Sequence, residues 1–240
     1  MTNVPMKKLF SELPIERATE YELPTPQFFK AYWRNGEKAF KDAGGVLLYG
    51  GWVIGEEQIA ISMPPAWKYQ TFTSKKQGNE YGAYCVQNIW AAVMGHRDKW
   101  STLEGGKKQH RVELMCAVNG IKNAVVISAT GYNAGNLMSA YITGYNTVKR
   151  IAGLDTLPPF AVYLPIGGKT VLGMPAIEPV GLKEKSPIVP IVFNPGPAVD
   201  EIWIEEHTVC TSTFESCITA MPLVKSWMAG VDSETGEMVE

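Results

Sequence analysis

Hydrophobic and polar positions alternate along much of the chain, which predicts strands for most of its elements. The clearest case is a hairpin in which two alternating stretches flank Asn119-Gly120, a dipeptide typical of two-residue β-turns. Residues 81–94 also fit a helix, but their β-branched and aromatic content favours a strand. The predicted strands cover residues 46–54, 58–63, 68–73, 81–94, 111–118, 123–130, 160–165, 188–193 and 201–209.

Three other stretches follow the helical period of three to four residues. Residues 132–152 carry apolar side chains at that spacing between Asn133, the predicted N-cap, and Gly153, the predicted C′ residue. Helices are also predicted over residues 26–43, where aromatic residues recur every four to seven positions, and over residues 213–229. The chain therefore combines a strand-rich body with a few helices.

The order of these elements resembles that of the OB-fold, in which a helix separates the third and fourth strands of a small barrel. The sequence predicts a mainly β (α+β) fold: an OB-like five-stranded barrel with a helix between strands 3 and 4, plus an N-terminal helix and an acidic C-terminal tail. The predicted parts are an arm, helix and hairpin extension over 1–66, an OB-like core over 67–229 and the acidic tail over 230–240.

Composition places the chain among folded globular proteins. Its 240 residues are 45% hydrophobic and 19% charged, which is enough for a sizeable core. The formal net charge of −2 excludes a generic polycation, so binding an acidic partner requires a local basic patch. No stretch approaches the roughly 18 to 20 apolar residues of a membrane span, and the four cysteines lack CxxC spacing. We therefore expect a cytoplasmic protein with reduced thiols and no membrane partner.

Charge is unevenly distributed along the chain. Residues 67–111 contain eight basic and three acidic residues, a local net charge of +5, together with seven aromatic residues. Cations interleaved with rings are what a surface needs in order to bind phosphates and stack on bases. Residues 199–240 instead carry nine acidic residues against Lys225, a net charge of −8. Such a tail can occupy a cationic groove or dock basic partner proteins, or it is an ordinary solvated terminus.

The candidate nucleic-acid-binding residues come from the basic middle segment and from one later loop. Trp100, which stands between basic residues, is the main candidate for stacking on a base, together with Tyr81 or Trp90. In an OB-fold, loops corresponding to residues 100–108 and 166–187 hold single strands. The alternative interpretation is that the rings belong to the core and the lysines are merely solvated. The full set of candidates is Lys75, Lys76, Tyr81, Trp90, Arg97, Lys99, Trp100, Lys107, Lys108, Arg111 and Lys169.

These motifs give the chain a resemblance to single-stranded-DNA-binding proteins of the phage and mobile-element type. The likeness covers roughly residues 67–200 and the tail. It is carried by Arg97-Asp98-Lys99-Trp100, Gly105-Gly106-Lys107-Lys108, the strand over 110–118, the stretch VVISATGYNAGNLMSAY over 125–141 and the acidic tail. The resemblance implies a homo-oligomeric OB-like protein that coats exposed single-stranded DNA, or RNA, during replication or recombination. It also implies recruitment of replication or recombination proteins through the tail, in the host cytoplasm if the protein is phage-encoded.

Motifs for catalysis or metal binding do not accompany this pattern. The best metal-ligand set in the sequence is His207, Cys210 and Cys217, whose spacing does not match that of a zinc site. None of the three histidines stands in a recognisable triad. We therefore predict no metal, no cofactor and no enzymatic activity. Two other hypotheses remain open: a virion or assembly component that binds no nucleic acid, and an enzyme whose site is scattered along the chain.

Overall fold

The computed structural model describes residues 28–35, 40–41, 47–48, 50–56, 63–73, 78–102, 106–168, 180–181, 187–196 and 198–230. The predicted N-terminal arm, most of the predicted strand over 58–63 and the acidic tail beyond residue 230 lie outside these ranges. So do the candidate residues Lys75, Lys76 and Lys169.

A nine-stranded mixed sheet, curled into a half-barrel, is the centre of the fold. Its strands are β1 (Phe29–Arg34), β4 (Gly51–Gly55), β5 (Lys68–Thr73), β6 (Glu80–Val86), β7 (Asn88–Thr102), β8 (Lys108–Val118), β9 (Val125–Thr130), β10 (Leu164–Gly167) and β13 (Val192–Phe193). The strand order is β13-β10-β7-β8-β9-β1-β4-β6-β5. Two small two-stranded sheets pair β2 (Phe40–Lys41) with β3 (Leu47–Leu48), and β11 (Val180–Gly181) with β12 (Pro187–Ile188).

Three α-helices and one 3-10 turn complete the described structure. They are α1 (Tyr132–Ala152), the 3-10 turn Pro159–Ala161, α2 (Glu201–His207) and α3 (Thr211–Met228). Helix α1 packs on one face of the sheet, where Gly144 lies against Leu164 and Phe193. Helix α3 packs on the other face, where Val224 and Met228 lie over Gly95. The sheet therefore has an α1 side and an α3 side.

The main feature of the sheet is the long hairpin formed by β7 and β8. Its strands pair antiparallel from Ala91↔Val118 to Thr102↔Lys108, with one register shift between Val93 and Gly95. The predicted Asn119-Gly120 turn then leads into β9, and Gly120 has a φ of 81°, in the left-handed region that glycine adopts most easily. The strands predicted over 111–118 and 123–130 are confirmed.

A buried core joins both faces of the sheet to the helices. The curl of the sheet brings β4 and β10 together across the α1 side, where the indole Nε1 of Trp52 in β4 donates a 2.8 Å hydrogen bond to the carbonyl of Ile166 in β10. Trp52 and Ile166 are both fully buried. Burying a large apolar side chain contributes roughly 1.5–3 kcal/mol to the free energy of unfolding. The burial of these two side chains therefore stabilises a contact between strands that are not neighbours in the sheet.

The expected mainly β (α+β) class is confirmed, but the five-stranded count is wrong. The sheet has nine strands, because β1, β4 and β5 also pair inside it and because Gln87 divides the predicted 81–94 strand between β6 and β7. Helix α1 does stand between β9 and β10 in chain order, as predicted for the barrel's helix. The helix over 132–152 is confirmed, and Gly153 is its left-handed C-cap, with a φ of 63°.

The helix predicted over residues 26–43 is wrong, because residues 29–34 form β1. Phe29 and Trp33 stand four positions apart, a spacing that fits two strand repeats as well as one helical turn. In the structure Phe29 and Ala31 are buried while Lys30 and Tyr32 are exposed, the alternation of a strand. Parallel pairing with β9 and antiparallel pairing with β4 supply the hydrogen bonds of this segment.

The strand predicted over 201–209 is also wrong, because residues 201–207 form α2. The Asp200 carboxylate accepts a 2.8 Å hydrogen bond from the backbone N–H of Trp203, an N-cap that starts the helix. Buried Trp203 and Ile204 face the core while Ile202 is exposed, which is a helical rather than an alternating pattern. Capping and tertiary packing together outweigh the β-branched content of this stretch.

Smaller corrections concern two predicted boundaries. Gly131, and not Asn133, is the N-cap of α1. The Asn133 side chain is buried instead, where it donates hydrogen bonds to Asn35 and to the Val189 carbonyl. The strand predicted over 160–165 starts later, because residues 159–161 form a 3-10 turn before β10.

Candidate nucleic-acid interface

The α3 side of the sheet carries a row of polar and basic side chains. Residues that are direct partners across neighbouring strands share one face of the sheet. The registers Tyr32↔Ser128, Glu113↔Ser128 and Arg97↔Glu113 therefore place these residues in one transverse row. A second row contains Lys99, Arg111 and Thr130. Lys30 lies on the same face, two positions before Tyr32 in β1. We call this area the basic strip; its members are Lys30, Tyr32, Arg97, Lys99, Arg111, Glu113, Ser128 and Thr130.

Two structural elements border the basic strip. On one border α3 lies over β7, and the Arg97 guanidinium stands 4.2 Å from the centre of the Trp227 ring. On the other border the hairpin of β5 and β6 bends over β1. There the Arg34 Nη1 donates a 2.8 Å hydrogen bond to the Tyr81 hydroxyl and its guanidinium lies 4.0 Å from the centre of the Phe72 ring. Lys30, Arg111 and Thr130 are exposed between these borders.

Arg97 is the structural cation of the strip. Its Nε donates a 2.6 Å hydrogen bond to Glu113 Oε2, and its Nη1 donates a 3.0 Å hydrogen bond to the Trp227 carbonyl. Glu113 is only 8% exposed, so its carboxylate depends on this partner. Arg97 therefore fixes α3 to the sheet, and Lys99 and Arg111 are two further cations on the same face beside it.

The remaining cations stand close enough to repel one another. Partial burial and the nearby charges of Arg97, Arg111 and Lys30 lower the pKa of Lys99, although Glu113 acts in the opposite sense. Lys99 and Arg111 are also direct cross-strand partners, and like charges in that position destabilise a sheet. Among the residues that the structure describes, the strip thus groups four cations with the carboxylate of Glu113, a composition suited to binding an anion.

The hairpin of β7 and β8 extends beyond the rest of the sheet. Among the described residues, β9 pairs with β8 only as far as Arg111↔Thr130, and β10 pairs with β7 only over residues 88–91. Residues 100–102 and 108–110 consequently pair only with each other among the described strands; together with the Lys99–Arg111 pair at their base, they form a projection that we call the ribbon. Lys107 and Lys108 are exposed at the far end of the ribbon.

The second side of the ribbon carries an exposed aromatic stack. Trp100 is 69% exposed, and its indole stacks on the His110 imidazole with the ring centres 4.9 Å apart and the planes 21° from parallel. His110 Nε2 is 2.9 Å from Asp98 Oδ1, so the carboxylate holds the imidazole in place. One face of the indole is thereby supported and the indole as a whole remains largely open to solvent.

The structure brings together only some of the predicted site residues. Arg97, Lys99 and Arg111 share the basic strip, and Trp100, Lys107 and Lys108 lie on the adjoining ribbon. Residues 100–102 and 108 of the predicted 100–108 loop belong to strands, because β7 continues to Thr102 and β8 starts at Lys108.

Tyr81 and Trp90 have packing partners and lie outside the ribbon. Tyr81 packs on Phe72 and accepts the hydrogen bond from Arg34. Trp90 stacks on His207, with ring centres 4.4 Å apart and planes 11° from parallel. Both rings therefore serve the fold at the positions they occupy.

Sequence reasoning missed Lys30, Tyr32 and Arg34. They belong to β1, which was predicted to be a helix, and helical spacing would have spread them around a cylinder. As alternate residues of a strand they all point to the α3 side. The polar–apolar alternation from Phe29 to Arg34 was the available signal, and its two-residue period competed with the four-residue spacing of the aromatic residues.

The cysteines differ sharply in environment. Cys85, Cys116 and Cys217 are buried, and burial raises the pKa of their thiols, to about 12 for Cys85 and Cys217. Cys210 is exposed before α3, and hydrogen bonds with the hydroxyls of Ser212 and Thr213 lower the pKa of its thiol to about 7. Within the described ranges, no three His, Cys, Asp or Glu side chains come together as metal ligands.

Comparison with known proteins adds no relative: no family model, curated protein or solved structure matches the chain. None of the helices in the described part of the chain is long and apolar enough to cross a membrane.

Proposed function

We propose that this protein binds single-stranded DNA without catalysis, coating exposed strands in replication or recombination. The basic strip contacts the phosphate backbone, and the ribbon extends that contact beyond the sheet. The observation that carries the proposal is the grouping of Lys30, Lys99 and Arg111 on one sheet face, together with the Glu113 carboxylate that Arg97 binds.

Repulsion between the grouped cations favours the binding of an anion such as a phosphate. Placing Lys99 directly opposite Arg111 costs stability in the free protein, and a phosphate between the two side chains would convert that repulsion into attraction. Phosphate binding by exposed lysine and arginine side chains also requires no base-specific contact. These features favour a ligand that the protein recognises through its phosphate backbone, as in sequence-independent binding of single strands.

A titration of a fluorescent oligo-dT at increasing salt concentration tests the proposal. Each phosphate contact with a single strand contributes about −0.7 to the slope of log K against log salt. Lys30→Glu combined with Arg111→Glu should therefore lower the affinity at least tenfold and reduce the magnitude of the slope by about 1.4. Circular dichroism of the variant, together with the milder pair Lys30→Gln and Arg111→Gln, separates loss of binding from loss of folding.

A matched control exchanges two exposed cations away from the strip. Lys122 lies in the turn between β8 and β9, and Arg150 lies near the end of α1. Lys122→Glu combined with Arg150→Glu makes the same change in net charge and should leave the slope unchanged. Equal effects of the two double variants, or no binding by the unaltered protein at low salt, would overturn the proposal. Duplex DNA and RNA of equal length establish which nucleic acid is preferred.

A further inference from the structure

The ribbon presents different chemistry on its two sides. Lys99 and Arg111 form one cross-strand pair on the α3 side, while Trp100 and His110 form the next pair on the opposite side. Successive residues of a strand point to opposite faces, so cations and indole stand back to back at neighbouring positions. A ligand that contacts both must pass around an edge of the ribbon.

The outer edge of β7 offers such a passage. Beyond Ala91, β7 has β8 as its only strand partner among the residues that the structure describes. Helix α3 packs on the α3 side near Gly95 and Arg97. The strand continues from there through Lys99 and Trp100 to Thr102. A flexible polymer lying on the basic strip can therefore cross this edge next to Lys99 and reach the indole.

The indole is prepared for stacking before any ligand arrives. A single exposed apolar side chain is ordinary on a protein surface, so exposure alone has no functional meaning. Trp100 differs because His110 supports one face of its ring and Asp98 fixes His110. A ring held in this way loses little freedom when a second ring stacks on it, and this favours binding.

We propose that Trp100 is a base-stacking subsite for single-stranded nucleic acid. One base stacks on the indole while the adjoining phosphates lie at Lys99 and Arg111 on the other side of the β7 edge. The subsite rests on the proposed function, since the same strand occupies both surfaces. Because every base has a π-face, the subsite accepts bases of any identity.

The test compares two oligomers with the same number of phosphates, oligo-dT and an oligomer of abasic sites. Trp100→Ala should weaken binding of oligo-dT by about 5- to 150-fold, the range for removing a base–aromatic stack. It should leave binding of the abasic oligomer and the salt slope unchanged. Trp100→Phe keeps a ring at this position and should retain most of the affinity for oligo-dT.

Ile202→Ala is the matched control for losing an exposed apolar side chain. Ile202 is 66% exposed on α2, next to Trp203, which packs near Trp90 at the other end of β7. This control should not change the affinity for either oligomer. If Trp100→Ala weakens both oligomers equally, or neither, the base-stacking subsite is refuted while backbone binding stands. If the unaltered protein binds neither oligomer, the proposed function itself fails.

Discussion

Replacing Arg97 by alanine removes three contacts that join β7 to α3 and to Glu113. The guanidinium donates hydrogen bonds to Glu113 at 2.6 Å and to the Trp227 carbonyl at 3.0 Å, and it stands 4.2 Å from the Trp227 ring centre. Removing one partner of a buried ion pair costs roughly 3–5 kcal/mol, because the other charge stays buried without compensation. The Arg97 side chain is 19% exposed, so we expect the lower end, about 3 kcal/mol.

This magnitude is large enough for standard unfolding measurements. For a domain of this size, each kcal/mol lowers Tm by about 2–4 °C, so Arg97→Ala should lower it by about 6–12 °C. Urea titration followed by tryptophan fluorescence gives the change in the free energy of unfolding independently. Combining Arg97→Ala with Glu113→Ala should cost less than the sum of the two single changes, because the double variant retains no unpaired carboxylate.

Arg111 provides an internal control of the same residue type. Its Nη1 is 3.9 Å from the same Glu113 carboxylate, but the Arg111 side chain is 44% exposed. Exposed ion pairs contribute only about 0–1 kcal/mol, so Arg111→Ala should change stability little. Equal losses for Arg97→Ala and Arg111→Ala would refute the assignment of Arg97 as the anchor of α3.

Three further predictions concern single side chains. Iodoacetamide should alkylate Cys210 with a midpoint near pH 7, since hydrogen bonds lower the pKa of its thiol to about 7; mass spectrometry locates the adduct, and a midpoint near the ordinary value of about 8.5 would contradict the geometry. Asp200→Ala should lower the free energy of unfolding by about 1 kcal/mol through loss of the α2 N-cap, and Asp200→Asn should retain most of it; equal losses in urea titrations would exclude a capping role. Because the pKa of Lys99 is lowered, its ammonium loses its proton as the pH rises, before pH 10.5 is reached, and the affinity for oligo-dT should fall with it. Lys99→Arg should flatten this pH profile in anisotropy titrations; superimposable profiles for the two proteins would remove Lys99 from the site.

The elements predicted successfully are those whose signals are local. The Asn119-Gly120 turn, the flanking strands and the helix that ends at Gly153 are all encoded within a few residues of one another. Their turn and cap chemistry does not depend on distant parts of the chain. The ribbon cations were found for the same reason, since Lys107 and Lys108 are close neighbours of Trp100 in sequence.

The missed elements depend on partners far away in sequence. Strand β1 pairs with β9, with Phe29 opposite Val125. The sequence around Phe29 contains no local signal that predicts this pairing. The same pairing places Lys30 and Tyr32 on the basic strip, so these two members of the site could not be predicted without the sheet topology. Trp90 shows the converse: its basic and aromatic sequence context favoured ligand contact, but α2 supplies His207 as a stacking partner.

Photo-cross-linking tests the central proposal most directly, because it reports where a bound strand lies. An oligo-dT that contains 5-iododeoxyuridine is irradiated in complex with the protein, and the adducts are located by peptide mass spectrometry. We predict adducts at Tyr32 on the basic strip and at Trp100 on the ribbon. Adducts confined to exposed aromatic residues elsewhere, such as Tyr69 on the edge strand β5, would contradict the proposed interface.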